Sequence, residues 1–490
     1  MLFNSSAFLV FFPIVVLLYF VIPFRFRNYW LLLASIVFYA CWNVKYLVLL
    51  FFSIAATYLS ALILPGVKEN KLRKGILIAC LLLNLSILFF FKYFNFASSQ
   101  VVRFGDLFGI VIPNLTHGFL LPVGISFYTF QALSYSIDVY KGRISPEKNI
   151  LKYALFVSFF PQLVAGPIER SEHLLPQFDE LHYFDTTRVK HGLELMLWGF
   201  FEKLVIADRV AIFVNQVYNH YEGYAFWEIF FASIGFAIQI YCDFGGYSHI
   251  AIGAAQVLGF ELCDNFKQPY FALSIKDFWR RWHISLSSWF RDYLYIPMGG
   301  NREGKVRYYL NIIITFVVSG LWHGASWNYV IWGGIHGIYQ VLGNILAPVK
   351  DRILTALKVN RTSDTFRLTE IAITFLLTVF AWIFFRASSG YEAIMIIKQM
   401  FSSYNPWVLF DMSLYECGLS RRNVMILVAS VLLLLGVDIL HEKGIRLRMW
   451  IDRQNQIARL TMYYVALMIV LFFGVYGPSF DAGKFIYFTF

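Results

Sequence analysis

Apolar runs long enough to cross a bilayer alternate with short polar connections along almost the whole chain. They fall near residues 6–24, 28–44, 47–65, 75–93, 118–139, 150–168, 192–217, 225–242, 308–322, 325–347, 367–386, 423–440 and 457–477. A hydrocarbon core needs roughly 20 helical residues to span it, and in that solvent helices are the simplest way to satisfy every backbone polar group. Some runs are short or interrupted by Gly and Pro. The pattern therefore predicts an all-α polytopic membrane protein of about ten to twelve transmembrane helices. The longest polar stretch, 168–190, is too short for a separate soluble domain, and no internal repeat is present, so residues 1–490 read as one transmembrane domain. Residues 264–307, DNFKQPYFALSIKDFWRRWHISLSSWFRDYLYIPMGGNREGKVR, break the pattern. They are too polar to span and too apolar for a free loop, which predicts re-entrant or interfacial helix.

Composition agrees. Hydrophobic residues make up 59% of the chain and charged residues 14%, against about 25% charged in soluble domains. The net charge, 41 − 30 = +11, fits basic cytoplasmic loops and gives no reason to invoke nucleic acid. Arg25 and Arg27, then Lys68, Lys71, Arg73 and Lys74, then Lys141, Arg143 and Lys148 all fall on one side if the amino terminus is outside. The basic stretch 443–453 then faces the cytoplasm as well, and both termini are expected to be extracytoplasmic. The first run lacks a basic n-region and a small-residue cleavage site, so a retained span is expected. Five scattered cysteines without a CxxC suggest neither a disulfide framework nor a metal site. No GxGxxG, Walker loop, GxSxG or HExxH occurs, which excludes nucleotide-driven transport and standard serine-hydrolase or zinc-protease chemistry.

Four places carry candidate chemistry. Residues 311–342 contain no Asp, Glu, Lys or Arg, yet hold His323 and His336. An imidazole in hydrocarbon is a functional candidate and a suitable proton carrier near neutral pH; it can equally be a polar bridge between helices. Ser326 and Asn328 follow His323 as candidate tunnel-lining groups, among glycines 320, 324, 333, 334 and 337 that permit close helix contact. Second, WRRWHISLSSWFRD (279–292), drawn as one helix, puts Trp282, Leu286 and Trp289 on one face. Arg280, Arg281 and Arg291 offer forks for phosphate or carboxylate, with Trp279 and Trp282 beside them and His283 at the end. Snorkelling arginines of an interfacial helix would look the same. Third, YCDFGGYSHIAIG (241–253) holds Asp243 and His249, and its paired glycines suggest a broken helix lining a cavity. The two ionisable groups could orient a base or pair with each other. Fourth, the last residues, KFIYFTF (484–490), form either an aromatic belt or a tail presenting the Tyr487 hydroxyl as a nucleophile.

DFWRRWHISLSSWFRDYLYIPMGGN followed by LWHG, together with PVGISFYTFQALSYSIDVY, FFPQLVAGPIER and CDFGGYS, closely resembles the bacterial branch of the membrane-bound O-acyltransferase family over essentially the whole chain. The resemblance implies a ring of tilted helices around a central tunnel. It implies that His323 is the essential histidine within the membrane and His283 its supporting partner. It further implies acetyl-CoA as the cytoplasmic donor, Tyr487 as acyl acceptor, and a separate extracytoplasmic SGNH-type acetyltransferase that passes the acetyl group to a polysaccharide. No metal or prosthetic group is implied. The chain departs from many relatives at Gly246 and His249, where they carry Ser and an acidic residue. Two alternatives stay open at this level: D-alanyl transfer from a carrier protein to teichoic acid, and a polysaccharide exporter without chemistry. The expected location is the bacterial cytoplasmic membrane.

Overall fold

The computed structural model describes residues 1–476, and Tyr487 with the whole 484–490 tail lies outside them. The described residues are helices and connections with no strand. Among the described residues, seven helices are long and apolar enough to cross a membrane: Val44–Gly66, Asn70–Leu107, Phe226–Leu258, Trp327–Ala356, Asp364–Arg386, Arg421–Glu442 and Gln456–Phe473. Shorter helices, including the apolar Ser6–Val21, lie between and before them. Several begin where a Ser or Asn side chain takes an orphan backbone N–H. Ser363 accepts from Phe366, Ser420 from Asn423 and Asn455 from Ala458.

The chain divides into two compact units, Met1–Met196 with Ile250–Cys263, and Leu197–His249 with Asp264–Phe490. In the first, buried hydroxyls and amides bond between helices. Ser53 donates to Asn84 Oδ1 (2.6 Å) and the Tyr153 hydroxyl to Thr57 Oγ1 (2.7 Å), the kind of polar link that joins helices where lipid offers no hydrophobic drive.

The second unit holds His323 and His283. Its central feature is a hairpin of Gly304–His323 against Trp327–Ala356. A Cβ on Gly320 would sit 2.2 Å from the Tyr329 carbonyl oxygen, and one on Gly333 2.2 Å from that of Phe316. The two backbones therefore touch, which only glycine permits here.

Two expectations are corrected. The Phe226–Leu258 helix runs unbroken through Gly245 and Gly246. Gly246 serves close approach instead: its missing Cβ would lie 2.7 Å from the Gly199 carbonyl oxygen. Residues 279–292 are not one helix. Ile275–Arg281 and Ile284–Phe290 are separate, with His283 in the left-handed region (φ 43°, ψ 55°) between them. Trp282, Leu286 and Trp289 therefore do not share a continuous helical face, and His283 lies at the break.

The second unit also buries a charge cluster. Lys203 donates to Asp208 (2.8 Å) and contacts Asp243 (2.6 Å), with all three side chains at most 7% exposed. His249 pairs with Glu202 at 2.6 Å. Asp243 and His249 thus take Lys203 and Glu202 as partners, not each other.

Gly333→Ala forces the hairpin apart and should cost about 1–3 kcal/mol. Gly334→Ala, which meets nothing within 4 Å, should be neutral. Thermal unfolding in detergent compares the two, and equal melting temperatures would refute the touching-backbone account. Lys203→Met leaves two buried carboxylates without their cation and should cost about 3–5 kcal/mol, read as a large drop in melting temperature that exposed Lys305→Met does not produce.

Candidate active site

His323 is the last residue of the Gly304–His323 helix and is 3% exposed. Three aromatic side chains surround its ring: Trp322 and Trp332 at 5.1 Å between centroids and Phe385 at 5.4 Å. Trp332 comes from the second arm of the hairpin and Phe385 from the Asp364–Arg386 helix. The Trp332 indole N–H is buried and has no hydrogen-bond partner among the described residues. A buried unpaired donor is costly unless a ligand uses it. Gly324 lets the chain turn out of the helix tight against Tyr329, because a Cβ there would fall 2.2 Å from that ring.

The His283 ring lies 6.4 Å from that of His323 and is fully buried. Phe244 packs on it at 4.6 Å. Its Nδ1 is 3.1 Å from Asn265 Oδ1, which also receives the Ser285 hydroxyl (3.0 Å) and the Ser285 backbone N–H (3.3 Å). Asn265 Nδ2 donates to the Ser248 hydroxyl at 3.2 Å. The backbone is stitched at the same place: Ile284 N–H donates to the Asn265 carbonyl and Lys267 N–H to that of Arg281.

Arg280 is exposed. Arg291 is exposed and bonds its neighbour Asp292 (2.7 Å). Arg281 is half-buried and tied to Glu442 (2.7 Å) and Asp277 (3.2 Å), so its fork already serves protein carboxylates. Trp279 and Trp282 are buried in the core rather than offered at a surface. Trp279 donates to His336 Nδ1 (3.2 Å), and Trp282 lies against Trp382 (5.1 Å). His336 is therefore part of the packing behind Trp332. Ser326 precedes the first residue of the Trp327–Ala356 helix, and Asn328 donates to the Ala387 carbonyl (2.8 Å). The structure thus joins His323 and His283 in one aromatic chamber, whereas Asp243 belongs to the Lys203 cluster.

Sequence reasoning missed Asn265, Glu202 and Lys203. Glu202 and Lys203 had a visible signal, as two adjacent charges among the five inside the apolar run 192–217. Asn265 had none, since one Asn in a polar loop is unremarked until its partner 18 residues later folds over it.

The chamber holds two imidazoles in an apolar lining, a setting suited to proton transfer on a substrate shielded from water. A sequence model of the membrane-bound O-acyltransferase family matches residues 143–356. A probable alginate O-acetylase of Pseudomonas syringae pv. tomato is 38% identical over 88% of this chain and 80% of its own length. A peptidoglycan O-acetyltransferase of Helicobacter pylori is 37% identical over 82% of this chain and 80% of its own length. A teichoic acid D-alanyltransferase of Bacillus subtilis is 27% identical over 46% of this chain and 60% of its own length. These likenesses displace the exporter reading: the chain belongs to the membrane-bound O-acyltransferase family and is a membrane acyltransferase.

Proposed function

We propose that the protein moves an acetyl group from cytoplasmic acetyl-CoA to a hydroxyl acceptor on the other side of the bacterial cytoplasmic membrane, for O-acetylation of a polysaccharide. The observation that carries this reading is the pair His323 and His283, 6.4 Å apart in one buried aromatic chamber. Relatives named for O-acetylation align over more than four-fifths of the chain, whereas the D-alanyltransferase aligns over less than half; this favours acetyl over D-alanyl.

In the proposed reaction His323 takes the proton of the acceptor hydroxyl, and the oxygen attacks the thioester carbonyl. The tetrahedral intermediate collapses with cleavage of the C–S bond, and the departing thiolate takes that proton back from His323, leaving coenzyme A, the new ester and a neutral base. Excluding water protects the thioester from hydrolysis. His283 either donates to the thioester carbonyl or orients the His323 ring. Exposed Arg280 suits donor phosphates, and Arg291 joins it by exchanging its exposed contact with Asp292 for a phosphate. Arg281, Trp279 and Trp282 hold the segment that carries them. Tyr487 is the proposed acceptor, the distribution of basic loop residues supports an extracytoplasmic position for it, and a separate SGNH-type transferase passes the acetyl group on to the polymer. Both termini are proposed to be extracytoplasmic.

His323→Ala should lower the rate of acetyl transfer from acetyl-CoA by roughly 10²–10⁴-fold, while the purified protein stays folded in nanodiscs. Transfer at the wild-type rate would end the base assignment, and a wild-type protein that does not turn over acetyl-CoA would end the donor assignment. Tyr487→Phe should abolish polymer acetylation in cells. Persisting acetylation would remove the relay and leave direct transfer.

A further inference from the structure

We propose that Asn265 is a positioning residue that fixes the tautomer of His283, keeping its proton on Nδ1 and leaving Nε2 as a hydrogen-bond acceptor in the chamber it shares with His323. The proposal rests on the acyl-transfer reading of that chamber.

The Ser285 backbone N–H points at the side-chain atom of Asn265 that lies 3.3 Å away. An N–H can only donate, so that atom is the carboxamide oxygen, and the opposite end is the NH₂ that donates to Ser248. The same oxygen faces His283 Nδ1 at 3.1 Å. An amide oxygen carries no proton, so the histidine nitrogen must supply it. The ring is neutral: it is fully buried, lies outside the seven candidate spans, and burial pushes its pKa down to about 3. In a neutral imidazole with Nδ1 protonated, Nε2 holds the lone pair.

The backbone argues the same way. His283 sits in the left-handed region, costly for a side chain with a Cβ. The Asn265 carbonyl holds that turn by accepting from Ile284 (3.0 Å). One residue therefore fixes both the unusual backbone and the ring that it presents.

The consequence separates the two roles left open for His283. A ring with this tautomer cannot donate to a thioester carbonyl. It can accept, from a His323 N–H or from the acceptor hydroxyl as that proton moves. His283 is thereby assigned to the proton side of the reaction and not to the carbonyl side.

The test is steady-state acetyl transfer by the full chain in nanodiscs across pH, with acetyl-CoA as donor. Asn265→Ala should lower kcat roughly 10–100-fold, the usual cost of losing a group that orients a reactive histidine, with KM for acetyl-CoA within about twofold. Asn265→Asp keeps the acceptor oxygen and should recover most of kcat at alkaline pH. Its charge favours the protonated ring, raising the pKa of His283, and protonation consumes the Nε2 lone pair. Activity should therefore be lost, as pH falls, at a value about one unit or more above wild type. A kcat for Asn265→Ala within twofold of wild type, or an unmoved acid limb for Asn265→Asp, overturns the proposal. If Asn265→Ala does not fold, the near-isosteric Asp variant decides alone. His323→Ala separates the two levels. If it turns over like wild type, the acyl-transfer reading itself fails. If it is silent while both Asn265 variants behave like wild type, only the tautomer assignment fails.

Discussion

Two helix backbones touch at Gly320 and Gly333, and the position of His323 follows from that contact. The hairpin arms meet carbonyl against Cα with no room for a methyl group on either side. Because the contact is backbone on backbone, it has none of the rotamer freedom that side chains would bring, and close-packed interiors transmit such constraints well. His323 closes the first arm, and Trp332, beside Gly333 on the second, is brought against its ring. Phe385 completes the wall from a third helix. A reacting group that must lie within a fraction of an ångström of its substrate gains from a stiff mount of this kind.

The charges of the second unit are placed according to the same economy. Ionised groups in a membrane protein are costly unless paired inside the fold. Lys203 satisfies Asp208 and Asp243, Glu202 takes His249, and Arg281 joins the Ile275–Arg281 helix to Glu442 at the end of Arg421–Glu442. These pairs hold elements in place and leave the chamber around His323 lined by rings. Burial among rings holds the His283 imidazole neutral, which matters when the reaction needs a lone pair.

How much of this was legible in the sequence depended on whether a signal was local. Spans were readable because hydropathy acts over some 20 consecutive residues. His323 stood out because an ionisable imidazole in a stretch without Asp, Glu, Lys or Arg is anomalous by itself. The glycines around it announced close contact, although not which carbonyl each would meet. The helix break at His283 was hidden: WRRWHISLS contains no Gly or Pro to mark it, and the tertiary bonds from Asn265 and Lys267 override the helical period. The Gly245–Gly246 pair misled in the opposite sense, because a glycine that relieves a helix–helix contact looks in sequence like one that breaks a helix. The partners of Asp243 and His249 could not be read for a related reason, since pairing across about 40 residues is decided by packing.

The left-handed backbone at His283 carries an argument of its own. Glycine adopts that conformation freely, and Asn, Asp and His more readily than other residues. A side chain with a full imidazole costs about 1–2 kcal/mol there. A fold that needed only the turn would be served better by glycine, and the turn is already supported by the Asn265 carbonyl. The ring nevertheless occupies the position, fully buried, bonded through Nδ1 and set 6.4 Å from a second buried imidazole. Conformational cost accepted at a site whose packing and hydrogen bonds all converge on one side chain is the mark of a residue kept for its chemistry.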